Sequence, residues 1–223
     1  KIFSFGKTQV TATHLDKIYF PEDGITKGDI IKYYISLSSV ILPYLKGRPE
    51  SLLRNPNGLN DKGFFQKDAG RNVPSYVDCK KIFSESNQKK IGYIICNNQA
   101  TLTYLNNLGC IEINPWHSTV QALNKPDYLI LDIDPSENNT FDQVIETAQV
   151  TKTILDSIGV ESYCKTSGST GLHIYFPLGA KYSYEESKEF ARKIATLVHR
   201  ELPQFTSIER MVGNSKGKMY VDF

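Results

Sequence analysis

Tyr128-Leu129-Ile130-Leu131-Asp132-Ile133-Asp134 is the stretch on which the fold turns. Four apolar residues run into an Asp-x-Asp pair, the pattern of a buried strand that ends on two acids. Strand side chains repeat every two residues, so Asp132 and Asp134 project from one face while Ile133 points into the core. Their Cβ atoms then lie about 7 Å apart, close enough to share divalent cations, which take hard oxygen ligands and need few protein groups when phosphates supply the rest. An isolated D-x-D can equally be a strand end whose aspartates open a turn, here Pro135-Ser136-Glu137-Asn138-Asn139. The apolar flanks favour the cation, because two acids on such a strand without counter-charge would cost stability.

Two further segments add to this pair. Met219-Tyr220-Val221-Asp222-Phe223 is a second apolar strand ending on an acid, and three carboxylates are what a two-metal phosphoryl-transfer centre requires. Lys165-Thr166-Ser167-Gly168-Ser169-Thr170-Gly171-Leu172-His173 lies between two predicted strands. Its glycines let backbone N–H groups approach an anion, while hydroxyls and an imidazole add donors. It is not a Walker A loop, because there is no G-K-[ST] and a strand follows it.

Helices are predicted from caps and 3.6-residue spacing. Thr26 with Asp29 opens one amphipathic helix that carries Ile30, Tyr34, Leu37, Ile41 and Leu45 and ends near Gly47. Residues 99–109 form a short helix. Thr140 with Gln143 caps another, with Phe141, Val144, Ile145, Ala148, Leu155 and Ile158 facing inward, and Ser183 with Glu186 caps a last one through Leu202. Short strands at 51–56 and 63–67 flank a hairpin turn, residues 71–90 are loop-like, and 91–96, 110–114, 160–166 and 172–178 are strands. Adjacent strands mixed with helices predict an α+β fold, a sheet with helices on one side.

The 223 residues, 40% of them apolar, suffice for one sizeable core or two closely packed lobes. A net charge of +2 does not announce a nucleic-acid partner, so any such surface must come from local clustering. Lys17, Lys27, Arg54 and Lys67, interleaved with Phe64 and Phe65, are the candidate patch: cations for backbone phosphates, aromatic faces for bases. Cys79, Cys96, Cys110 and Cys164 form no C-x-x-C pair and are expected to be reduced core thiols. No stretch is long and apolar enough to span a bilayer, so no membrane partner and a cytoplasmic, nucleoid-associated location are expected. A first residue other than Met and strand-like last residues are expected of a fragment truncated at the carboxyl end.

Eight segments in order resemble one family, the polymerase domain of bacterial ligase D proteins of non-homologous end joining, within the archaeo-eukaryotic primase superfamily. They are HLDKIYFP, GITKGDIIKYY, LPYLKGRPESLLRNPNG, GFFQK, EINPW, PDYLILDIDPSE, KTSGSTGLHIYFPL and YVDF. The resemblance implies a primase-like mixed or antiparallel sheet core with flanking helices around one catalytic cleft. It implies a single domain over 1–223, with a DNA-end-binding part at about 1–98 and a catalytic sheet at about 99–223. Asp132, Asp134 and Asp222 would hold two Mn²⁺ or Mg²⁺ ions, and Ser167, Gly168, Thr170, Gly171, His173 and Asn114 would meet the NTP or dNTP. Lys17 and Lys27, with Arg54, would hold a 5′-phosphate across a gap, Phe64 and Phe65 would stack near the templating base, and Lys67 completes the DNA surface. Linked ligase and nuclease modules and a Ku-type end-binding protein are the implied partners.

Three positions depart from the family pattern. Thr170 stands where many relatives carry lysine, so either the grip on the triphosphate is weaker or another cation substitutes. Asn114 stands where the family often has a histidine near the sugar, and the chain stops before a triphosphate-contacting glutamine. The function expected is metal-dependent, template-directed nucleotide addition at gaps and broken ends, and the family resemblance implies a preference for ribonucleotides and Mn²⁺. A non-catalytic module that bridges 5′-phosphorylated ends, or a D-x-D nucleotide-sugar transferase, would share some of these features.

Overall fold

The computed structural model describes residues 1–209 and 217–223. The chain divides into two compact units, Lys1–Gln121 and Ala122–Phe223. In the first, β1 (Ile2–Phe5) and β2 (Thr8–Thr11) form a hairpin, as do β3 (Ile18–Phe20) and β4 (Ile25–Thr26). Then come α1 (Lys27–Ser36), α2 (Ser38–Leu45), β5 (Glu50–Arg54), β6 (Phe64–Gln66), β7 (Asp78–Ser84), β8 (Lys89–Ile95), α3 (Gln99–Asn107) and β9 (Cys110–Pro115). β5 is the middle of an antiparallel sheet ordered β6-β5-β9, and β7 pairs with β8. Leu45, Leu52, Ile94, Cys96, Leu102, Leu105 and Cys110 form the core of this unit.

The second unit holds β10 (Tyr128–Asp134), α4 (Phe141–Ser157), β11 (Tyr163–Thr166), β12 (Leu172–Pro177), α5 (Tyr184–Glu201), β13 (Thr206–Ser207) and β14 (Met219–Asp222). They make a five-stranded mixed sheet in the order β11-β12-β10-β14-β13, antiparallel except for β13 beside β14. Leu129, Leu131 and Ile133 of β10, Ile174 and Phe176 of β12 and Met219 and Val221 of β14 share one core with Val144, Leu155, Ala191, Ile194 and Val198. Both long helices therefore cover the same sheet face, and the alternate strand residues are left on the other. Each helix begins at a capping box, Thr140 with Gln143 and Ser183 with Glu186, as the sequence predicts. The α+β class holds, and no described helix is long and apolar enough to cross a membrane.

Several local expectations are corrected. The single helix over 26–47 is two, because Ser36 and Ser38 donate their hydroxyls to the carbonyls of Tyr33 and Ile35 where the chain turns at Leu37, and Pro43 lies in the second helix. Residues 78–84 are a strand rather than loop, stabilised by register with 89–95 although its exposed residues break the period-two pattern. On α4, Val144, Ala148 and Leu155 are buried, but Phe141, Ile145 and Ile158 are exposed. Cys96 and Cys110 are buried, whereas Cys79 and Cys164 lie at the surface, and all four are free. α3 and β9, expected with the catalytic sheet from residue 99 onward, belong to the first unit because β9 pairs with β5.

Candidate active site

The open face of the second sheet follows from the burial of the other. With Leu131 and Ile133 fully buried, Asp132 and Asp134 can only point away from α4 and α5. Register then aligns a row of polar side chains across four strands. Lys165 of β11 lies opposite His173 of β12, His173 opposite Asp132 of β10, and Asp132 opposite Asp222 of β14. Asp134 is one step along the same face, opposite Tyr220. The structure thus places Asp132, Asp134, Asp222 and His173 on one sheet face.

The electrostatics of the row are those of a site short of positive charge. His173 Nε2 stands 3.4 Å from Asp132 Oδ1, yet burial holds the Asp132 carboxyl above its ordinary range and the His173 imidazole below its own. Burial works against the charged form of each group, while the opposite charge across the 3.4 Å contact works for it. Asp134 and Asp222 push Asp132 further up, while His173 and Lys165 pull it down. Nδ1 of His173 is buried without a hydrogen-bond partner. Asp222 Oδ1 accepts from Tyr220 Oη at 3.0 Å and from the Phe223 amide at 2.9 Å, which fixes one oxygen and leaves the other for the open face.

The donor set, three carboxylates on one sheet face with two of them cross-strand partners, fits a hard divalent cation, whose charge would relieve the crowding at Asp132. Among the described residues, however, no three His, Cys, Asp or Glu side chains already gather closely enough to hold a metal ion.

The loop from Ser167 to Gly171 closes the β11–β12 hairpin. Gly171 is required by space, because a Cβ there would press into the Ile133 carbonyl oxygen. Gly168 is required by conformation, at φ +105°. The Ser167 amide donates to Gly171 O at 3.0 Å, and Ser167 Oγ accepts from the amides of Gly171 at 3.2 Å and Ser169 at 3.4 Å. Two amides expected to face an anion are therefore turned onto Ser167, so the loop is a braced turn rather than an open cradle. Thr170 is exposed at its tip.

The remaining predicted residues belong to the first unit. Three cations gather there: Lys27 is buried and held below the ordinary lysine range, first by burial and then by the positive charges of Lys17 and Arg54. Lys27 Nζ donates to Thr13 O at 2.9 Å, and Lys17 Nζ to Pro56 O at 2.7 Å and Asn57 Oδ1 at 3.0 Å. Arg54 donates to Leu108 O at 2.9 Å and Gln66 Oε1 at 2.6 Å, with its guanidinium carbon 5.2 Å from the Phe64 ring centroid. Phe64 pairs with Arg54 and Phe65 with Leu53, so successive β6 residues face opposite ways and the two exposed rings do not share one surface. Lys67 is exposed beyond β6, and Asn114 on β9 donates to Glu112 Oε1 at 3.0 Å. Trp116 packs edge-on against Tyr93, at 5.2 Å between centroids.

A family model described as the LigD primase-polymerase domain matches residues 26–223. The chain belongs to this family. Among relatives of the LigD domain, the bifunctional non-homologous end joining protein LigD of Bacillus subtilis is 32% identical over 95% of this chain. The multifunctional LigD of Mycolicibacterium smegmatis is 28% identical over 96%. The chain spans 34% of the first relative and 28% of the second. In structure it is similar to the polymerase domain of Mycobacterium tuberculosis ligase D in complex with DNA, with a TM-score of 0.84 and 27% identity, covering 96% of this chain and 76% of that one.

Sequence patterns did not single out three residues that lie beside the predicted ones. Lys165 was detectable from hairpin symmetry, since pairing Thr166 with Leu172 forces Lys165 onto His173. Tyr220, two residues before Asp222, shares its face by strand parity. Gln66, which receives Arg54, left no local signal.

Proposed function

We propose that this chain catalyses template-directed addition of nucleotides to a primer 3′-hydroxyl, filling short gaps and extending ends at DNA double-strand breaks during end joining. The observation that carries the proposal is the aligned row of His173, Asp132 and Asp222, with Asp134 beside it, on the open sheet face of a LigD-family chain. Asp132, Asp134 and Asp222 would hold the divalent cations, Mn²⁺ or Mg²⁺. Bound there, the metal supplies charge neutralisation at the phosphates and activation of the attacking hydroxyl.

The protein groups have separate tasks in this reading. His173, braced beside Asp132, offers a ring N–H to a phosphate oxygen and acts as a charge-stabilising group rather than as a base. The braced Ser167–Gly171 turn places the backbone against the nucleotide phosphates. Lys17, Lys27 and Arg54, a concentration of positive charge within a chain of net charge +2, hold the 5′-phosphate across the gap. The exposed ring of Phe65 or of Phe64 stacks on a base. Ligase and nuclease modules joined to it, a Ku-type end-binding partner and a place at the nucleoid complete the proposal, with ribonucleotides and Mn²⁺ preferred.

The test is primer extension on a gapped duplex carrying a 5′-phosphate, with Mn²⁺ and ribo- or deoxynucleotides, comparing the chain with Asp132→Ala. Addition that is lost in the variant supports the proposal. DNA binding equal in both proteins with no addition by either would leave an end-binding module in its place.

A further inference from the structure

We infer that Lys165 is the cation that receives the polyphosphate tail of the incoming nucleotide. This rests on the nucleotide-site reading of the same sheet face. Lys165 occupies the end of the row opposite to the carboxylates: Lys165, His173, Asp132 and Asp222 are successive cross-strand partners over β11, β12, β10 and β14. Two strand spacings, roughly 10 Å, separate its backbone from that of Asp132. A linear polyphosphate lying along the row would meet carboxylate-held cations at one end and this ammonium at the other.

The side chain is placed for capture and is not neutralised. Its Nζ donates to Thr166 O at 2.8 Å, the carbonyl just before the Ser167–Gly171 turn, and stands 6.0 Å from the centroid of Tyr175, its neighbour one step along the same face. A carbonyl and a ring carry no net charge, and no described carboxylate lies within ion-pair distance of it. Its charge is nonetheless felt at both Asp132 and His173. Exchange of a neutral carbonyl for a phosphate oxygen is favourable, since the ammonium then gains the attraction of an opposite charge in addition to the hydrogen bond it already donates. The four-carbon stem on an exposed edge strand allows that swing without backbone movement.

The experiment compares Lys165→Gln and Lys165→Arg with the unaltered chain. Calorimetry measures binding of inorganic tripolyphosphate, ATP and AMP, and gap filling yields KM and kcat. Lys165→Gln should weaken tripolyphosphate and ATP roughly tenfold or more while leaving AMP unchanged. It should raise KM far more than it lowers kcat, and Lys165→Arg should recover most of the loss. Binding of ATP and tripolyphosphate by Lys165→Gln at the unaltered strength would overturn the assignment, as would an equal loss for AMP. Gap filling that persists in Lys165→Gln with unchanged KM sinks Lys165 alone, whereas an unaltered chain that binds no triphosphate sinks the nucleotide site with it.

Discussion

Replacing Glu50 by glutamine should stabilise the chain at neutral pH. Glu50 opens β5 at 1% exposure, and neither carboxylate oxygen has a hydrogen-bond partner. Burial pushes its carboxyl from 4.5 up to about 9, with Arg48 offsetting part of the rise. The proton is thus kept in the folded chain up to about pH 9 and released by the unfolded chain near 4.5. Stability from this group is complete below the unfolded value and is lost as pH rises through the window between the two, because only the folded state still binds the proton. At pH 7 the loss is about 2.5 units at about 1.4 kcal/mol each, or about 3.5 kcal/mol. Glutamine has the shape of the protonated acid and does not titrate, so it removes that loss. Urea unfolding of both proteins at pH 5, 7 and 8.5 should show a gap that starts near zero and widens by about 1.4 kcal/mol per pH unit. A pH-independent gap, or a variant weaker at pH 7, would mean that Glu50 is ionised against Arg48, and the reasoning would fail.

Other consequences are equally direct. Gly171→Ala presses a methyl group into the Ile133 carbonyl and must shift the His173 strand against Asp132, so nucleotide addition should fall by roughly 100-fold for a displacement near 1 Å, read as kcat/KM. Unchanged kinetics would show that the hairpin joint is slack. In native protein a thiol reagent should modify Cys79 and Cys164 and spare Cys96 and Cys110 until denaturant is added, giving two equivalents and then four by mass. Lys17→Ala should weaken binding to 5′-phosphorylated DNA and reduce the slope of log K against log salt by about one. A slope equal to that of the unaltered chain would remove Lys17 from the phosphate contacts.

The Asp132–Asp134 strand was legible because one short-range rule governs it: an apolar run with alternating parity leaves the two acids no face but the open one. The caps at Thr26, Thr140 and Ser183 were legible for the same reason, since each box closes within three residues. What escaped depends on partners far away in sequence. β7 is exposed along most of its length and is specified by its register with β8, not by its own pattern. Lys17, Lys27 and Arg54 were named from the sequence, but what joins them is long-range: the Lys27 amide bonds Lys17 O at 2.8 Å, and β5 delivers Arg54 from another sheet. The bracing of the turn by Ser167 Oγ also depends on the closed hairpin and left no local signal.

Templated chemistry at the Asp132 row is read out in full on a one-nucleotide gap. With Mn²⁺ and a mixture of all four nucleotides, the nucleotide inserted opposite each of the four templating bases is identified for the unaltered chain and for Asp134→Asn. The unaltered chain should insert the complementary nucleotide in each case, and the variant should insert none. Insertion that ignores the template, or that survives in Asp134→Asn, would contradict this.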